Sequence, residues 1–135
     1  MIVGLGIDLC DTRRIKGSLD RFGQRFLDRC FSAAEQAGTE GRADRTARYA
    51  RRYAAKEAFA KAIGTGIGEH AFLTEIEVVS APNGKPSLRL SGAAARTMQA
   101  LAPDGHQVVA HLSMTDEAPY AMAQVILEAR IARIG

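Results

Sequence analysis

Asp8 closes the apolar run Ile2-Val3-Gly4-Leu5-Gly6-Ile7. Glu57 lies in the helical stretch Tyr53-Ala54-Ala55-Lys56-Glu57-Ala58-Phe59-Ala60-Lys61, which runs into Gly64-Thr65-Gly66-Ile67-Gly68. Together these segments can offer two carboxylates, a lysine and a flexible glycine turn to one phosphate-bearing ligand. Carboxylates that face an anion need a cation between them. Mg²⁺ meets that need, because it is held by one or two carboxylates and completes its octahedron with water and substrate phosphate oxygens. The chemistry predicted is metal-assisted phosphoryl-type transfer.

Taken singly, each of these residues has a plainer reading. Glu57 and Lys61 are four apart on a helix, the spacing of a surface ion pair worth roughly 0.3 to 0.5 kcal/mol. Asp8 could cap the helix that follows it, and the glycines from Gly64 to Gly68 could simply end theirs. They form no Walker A loop, which would precede a helix and end in Gly-Lys-Ser/Thr. Arg42, Arg45, Arg48 and Arg52 fall at helical spacing, as a solvated basic face does. Nucleic-acid binding is the alternative, against which stand an aromatic content of 6% and the lack of an accompanying motif. His111, on an apolar strand, reads as a hydrogen-bonded core histidine, and His70, His106 and His111 show no metal-ligand spacing.

The elements that must position these residues are legible from pattern. Ile2 to Asp8 reads as a buried strand. From Asp11, the spacing of Ile15, Leu19, Phe22, Phe26 and Leu27 predicts one or two amphipathic helices, with Asp11 or Thr12 as N-cap and a break at Gly23. Ser32-x-x-Glu35 has the form of a capping box. Residues 42 to 63, rich in Ala, Arg and Lys, predict a long helix stopped by Gly64. Thr74 to Ser80 and Ser87 to Leu90 form a hairpin about the turn 81–86, and a helix follows to Leu101. Two strands, Gln107 to Met114 and Tyr120 to Leu127, complete an α+β fold in which an antiparallel sheet packs with the long helix and the shorter ones. Fraying is expected from Arg130 to Gly135.

At 135 residues the chain suits a single domain spanning 1–135. Hydrophobic residues reach 47%, yet no run approaches the roughly 20 apolar residues of a membrane span. The expected protein is soluble and cytoplasmic, with no signal for export and with Cys10 and Cys30 as reduced thiols. Residues 1 to 61 hold 13 Lys/Arg against 8 Asp/Glu, and the remainder 5 against 7, so the basic field belongs to the N-terminal half. Such a field steers an acidic partner, and charge alone does not choose which.

The ordered set of motifs resembles the holo-[acyl carrier protein] synthases, small bacterial 4′-phosphopantetheinyl transferases. It comprises Gly6-Ile7-Asp8, Phe31-Ser32-x-x-Glu35, Arg52-Tyr53-Ala54-Ala55-Lys56-Glu57-Ala58-Phe59-Ala60-Lys61-Ala62, Gly64-Thr65-Gly66-Ile67, Asn83-Gly84-Lys85-Pro86 and His111-Leu112-Ser113. The resemblance implies transfer of phosphopantetheine from coenzyme A to a serine of apo acyl carrier protein, in fatty acid biosynthesis, with release of adenosine 3′,5′-bisphosphate. It implies Mg²⁺ on Asp8 and Glu57, catalysis by Glu57 and Lys61, and coenzyme A contacts from Arg52, Lys61, Gly64, Asn83, Gly84, Pro86 and His111. It further implies a carrier-binding surface of Arg13, Arg14, Arg21 and Arg25, and a homotrimer with sites between subunits. Ser113-Met114-Thr115-Asp116 departs from the Ser-x-Ser-His of many relatives, so His111 is carried over and Asp116 is given no role. A non-enzymatic nucleotide or RNA binder using the Arg42 to Arg52 face, and a silent scaffold for an acidic carrier, are the competing readings.

Overall fold

The computed structural model describes residues 1–133. Its elements run β1 (Ile2–Asp11), α1 (Thr12–Phe22), α2 (Gln24–Cys30), α3 (Ala33–Ala37), α4 (Arg45–Ile63), β2 (Ile76–Ser80), β3 (Pro86–Leu90), α5 (Gly92–Gln99), β4 (His106–Glu117) and β5 (Tyr120–Ile131), with a 3₁₀ turn at Leu73–Glu75. The expected α+β class holds. β1, β5 and β4 form an antiparallel sheet in that order, and β2–β3 is a separate hairpin whose β3 packs against β4.

Local chemistry sets the boundaries. Asp11 caps α1 by accepting from the Arg13 N–H at 2.9 Å, which satisfies one of the orphan donors at the helix start. Gly23, at φ 54°, separates α1 from α2. The Ser32 and Glu35 side chains form the reciprocal capping box of α3. At the far end of α4, Gly64 adopts φ 85°, a left-handed stop that favours glycine.

Three expectations are corrected. β1 runs on to Asp11 because Leu9, Cys10 and Asp11 pair with Met122, Ala121 and Tyr120. Asp8 is therefore an internal strand residue opposite Ala123, and neither ends the strand nor caps α1. β4 and β5 extend beyond the predicted strands, to Glu117 and Ile131, because they pair with each other residue by residue. Arg130 and Ile131 are thus laddered rather than frayed, while Ile134 and Gly135 lie outside the described residues.

α4 lies across the inner face of the sheet. Its Ala54, Ala55, Ala58 and Phe59 are fully buried, as are Ala121, Val125 and Leu127 of β5. The approach to β1 is close enough that a Cβ on Gly6 would collide with the Ala58 carbonyl oxygen, and one on Gly4 with that of Ala62. Glycine inside a strand, ordinarily weakening, here admits another backbone. On the side of α4 towards the hairpin, Lys56 is wholly buried, and its Nζ donates to Glu35 Oε1 at 2.7 Å and to the carbonyls of Leu73 at 2.9 Å and Ile76 at 2.5 Å. Glu35 also accepts from the Val78 N–H at 3.1 Å. This pair ties α3, α4 and β2 together.

Candidate active site

Strand alternation turns Asp8 inward with Gly6 and Cys10, because its cross-strand partner Ala123 faces α4. Lys61 reaches it from the last turn of α4, donating to Asp8 Oδ1 at 3.1 Å and to the Ile7 carbonyl at 3.0 Å. Lys61 therefore pairs with Asp8, and the helical ion pair with Glu57 is absent from the described contacts. That leaves Glu57 free to face the cavity. Asp8, Leu9, Cys10, Arg14, Tyr53 and Glu57 enclose a polar space of about 210 Å³.

A second cavity of about 440 Å³ adjoins it, walled by Phe22, Phe26, Ile67, Leu73 and the basic Arg25 and Arg29. Tyr53 and Glu57 border both. The electrostatics of the smaller space show on its neutral members. Cys10 is pushed up to about 11, by burial first and then by the charge of Asp8, with Glu57 adding to it and Arg14 opposing. Tyr53 is pushed up to about 12, by burial and then by Glu57. Both remain protonated in neutral solution.

The donors fit a hard divalent cation. Two carboxylates from separate elements, with room beside them for water and phosphate oxygens, match the way Mg²⁺ is usually held. Among the described residues, no group of three or more His, Cys, Asp or Glu side chains gathers into a closed metal site.

The other expected residues fall in three further places. Gly64 lies beside Lys61 at the end of α4. Asn83 and Gly84 form the β2–β3 turn, where Asn83 Oδ1 accepts from the Lys85 N–H at 3.0 Å, and Pro86 opens β3. Arg52 is 7% exposed; its Nη1 donates to the Arg48 carbonyl at 3.3 Å, and burial, then the nearby Arg48, lowers its pKa. The Nε atoms of both Arg48 and Arg52 are buried without a partner among the described residues. Two cationic groups left this way suit an anion. His111 stands on the outer face of the sheet, half-exposed, with Nε2 3.0 Å from Glu128 Oε1, so the core-histidine reading fails. One chain therefore gathers Asp8 and Glu57 at the small cavity, with Lys61 held on Asp8, and leaves Gly64, Arg52, the hairpin turn and His111 outside the linings of both cavities.

The basic residues also divide. Arg14 and Arg25 border the cavities at Glu57, whereas Arg13 is locked onto Asp11 at 2.8 Å and Arg21 lies over the Phe22 ring at 5.0 Å. Most of the α4 arginines are paired, Arg45 with Glu40, Arg48 with Asp44 and Arg51 with Asp116 at 2.6 Å, whereas Arg52 has no carboxylate partner among the described residues. Asp116 thus has a structural partner. Pattern reading gave no role to Tyr53 or Cys10, although both were marked by spacing: Tyr53 is one helical turn before Glu57, and Cys10 is two strand positions after Asp8.

A strand-borne aspartate facing a helix-borne glutamate, on an α+β scaffold of this topology, defines a class. Residues 4–123 match the family model of the 4′-phosphopantetheinyl transferase superfamily, and the chain belongs to that family. Its relatives refine the placement. The holo-[acyl-carrier-protein] synthase of Methylobacterium sp. (strain 4-46) is 54% identical over 129 residues, 96% of this chain and 96% of that protein. The crystal structure of the Neisseria meningitidis holo-[acyl-carrier-protein] synthase superposes with a TM-score of 0.84 at 33% identity, covering 95% of this chain and 99% of the other. That of Bacillus anthracis str. Ames, in complex with CoA (3′,5′-ADP), gives 0.76 at 36% identity over 94% and 96%. The resemblance to holo-[acyl-carrier-protein] synthases is borne out, and the chain is an enzyme of the phosphopantetheinyl transferase class.

Proposed function

We propose that this chain transfers the 4′-phosphopantetheine group of coenzyme A to a serine hydroxyl of apo acyl carrier protein. The reaction requires Mg²⁺, releases adenosine 3′,5′-bisphosphate and serves fatty acid biosynthesis in the cytoplasm. The observation that carries this reading is the position of Glu57, shared between the small carboxylate cavity and the larger one edged by Arg25. A carrier serine entering through the larger cavity meets Glu57 on the side away from Asp8.

In the reaction the serine Oγ attacks the phosphorus that bears pantetheine, and the pyrophosphate P–O bond to the adenosine half breaks. Glu57, or a water beside it, takes the serine proton. Lys61, held by Asp8 and the Ile7 carbonyl, places its cation where charge grows on the bridging oxygen. When bound, Mg²⁺ on Asp8 and Glu57 would supply further electrostatic relief at the pyrophosphate. Gly64 permits close backbone approach beside Lys61, while Arg52, Asn83, Gly84, Pro86 and His111 receive the remainder of the coenzyme. Arg13, Arg14, Arg21 and Arg25 face the acidic carrier.

A homotrimer with sites between subunits accounts for the distance between these groups. The outer face of the sheet, which carries His111, leaves Leu5 60%, Ile7 52% and Leu9 61% exposed. Covering that face with a neighbour brings His111 of one copy towards another copy. The single domain spanning 1–135 is then the repeating unit.

The direct test incubates the protein with coenzyme A, Mg²⁺ and apo carrier, and weighs the carrier by intact mass spectrometry. A gain of one phosphopantetheine is expected, lost with chelator and in Asp8→Ala and Glu57→Ala. A folded enzyme that leaves a competent carrier unchanged would overturn the reading.

A further inference from the structure

Among the described residues, Tyr53 and Glu57 alone line both cavities and form the wall between them. They are four apart on α4, so their side chains lie on one helical face about one turn from each other. Among the described contacts Glu57 has no ion-pair partner: Lys61 is engaged by Asp8, and Arg14, on the same small cavity, makes no described bond to it, so the hydrogen-bonding influence between this carboxylate and a side chain is that with the Tyr53 hydroxyl. A half-buried carboxylate on a flexible side chain has several rotamers open to it. Something must select the one that serves the reaction. The nearest neutral donor on its own helix is the Tyr53 hydroxyl, half-buried in the same wall, and after burial the charge of Glu57 is the largest influence on that hydroxyl.

We propose that Tyr53 is a positioning residue, whose hydroxyl donates to one carboxylate oxygen of Glu57 and fixes the other towards the cation and the incoming serine. This deepens the reading given under Proposed function and rests on it for the identity of the reaction. The ring has a separate duty as the floor of the larger cavity, beside Phe22, Phe26 and Leu73. Tyr53→Phe separates the two, because it keeps the ring and removes only the donor.

The test pairs kinetics with cation binding in the absence of substrate. Mn²⁺ is titrated into wild type, Tyr53→Phe, Glu57→Gln and the double variant, with the free ion read by electron paramagnetic resonance. A hydrogen bond to a charged group implies that Tyr53→Phe binds Mn²⁺ about tenfold more weakly and loses about tenfold in kcat. KM for coenzyme and carrier is expected to stay at the wild-type value. In the Glu57→Gln background, removing the hydroxyl is expected to change Mn²⁺ affinity no further. Wild-type Mn²⁺ affinity and kcat in Tyr53→Phe overturn the proposal, as does an equal loss of affinity in the Glu57→Gln background. The Mn²⁺ deficit in Tyr53→Phe, found in a wild type that transfers no phosphopantetheine, would leave the positioning role standing and remove the transferase reading.

Discussion

Lys56 offers the sharpest energetic prediction, because its neighbour in sequence, Glu57, is a proposed catalytic residue and Lys56 faces the opposite way. Its Nζ and the Glu35 carboxylate are wholly buried 2.7 Å apart. Lys56→Met keeps the length of the side chain and removes the ammonium. Glu35 then retains only the N–H groups of Ser32 and Val78, at 3.0 and 3.1 Å, and the carbonyls of Leu73 and Ile76 lose the ammonium, Leu73 keeping the Ile76 N–H. Removing one member of a buried pair leaves an uncompensated charge, which costs about 3 to 5 kcal/mol. With an m-value of roughly 2 kcal/mol/M, the urea midpoint should fall by about 2 M. Lys16→Met is the control, because its 2.8 Å pair with Asp20 is two-thirds exposed on both sides and should be worth less than about 1 kcal/mol. Adding Glu35→Gln to Lys56→Met should recover much of the loss, because the second charge is removed while an acceptor for the capping box remains. The assay is urea denaturation by circular dichroism at one protein concentration, since assembly contributes to apparent stability. A Lys56→Met variant as stable as the Lys16→Met control would refute the reasoning.

Three further outcomes are expected. Ile7→Asp puts a charge in the middle of the outer apolar face and should reduce the molar mass seen by sedimentation from that of the proposed trimer to that of a monomer, with secondary structure retained; an unchanged mass would count against burial of that face. Carrier KM should rise with salt as the Debye length shrinks from roughly 10 Å at 0.1 M to roughly 3 Å at 1 M, and Arg25→Ala should flatten that dependence; equal slopes would remove Arg25 from the docking surface. Cys10 has an ordinary value of 9.0 and a native value of about 11, so the folded state holds its proton longer than the unfolded one. The stability from this source is whole below pH 9 and is lost as pH rises through 11, by up to about 2 to 3 kcal/mol. Cys10→Ala should flatten the fall in urea midpoint over that window, and an unaltered profile would exclude the thiol as its cause.

What the sequence disclosed and what it withheld divide by distance along the chain. The Asp11 cap, the Gly23 break, the Ser32–Glu35 capping box and the Gly64 stop are each decided within a few residues, and each was legible. The last residues of β1 depend on Tyr120 to Met122, and no local pattern shows that partner. Lys61 illustrates the same limit at the site, since spacing offers Glu57 while the fold supplies Asp8 from β1. In the arginine run of α4, Arg45, Arg48 and Arg51 are paired by Glu40, Asp44 and Asp116, of which only the first two are near in sequence. His111 was placed on a strand correctly and on the wrong face, because alternation gives two faces without saying which meets the helix.

β1 links the geometry of the site to the proposed assembly. For Asp8 to share a small cavity with Glu57, α4 must come close to the strand, and the close approach requires Gly4 and Gly6 on the inner face. An ordinary half-buried strand puts its bulk on that face. Here the order is inverted, and Leu5, Ile7 and Leu9 carry the bulk outward, where Met122 of β5 continues the apolar surface. Exposed apolar area of that kind stabilises an association that removes it from water, at roughly 25 cal/mol per Å² buried. The geometry that brings the two carboxylates together thus also creates the surface on which a neighbouring subunit would bring its own residues towards them.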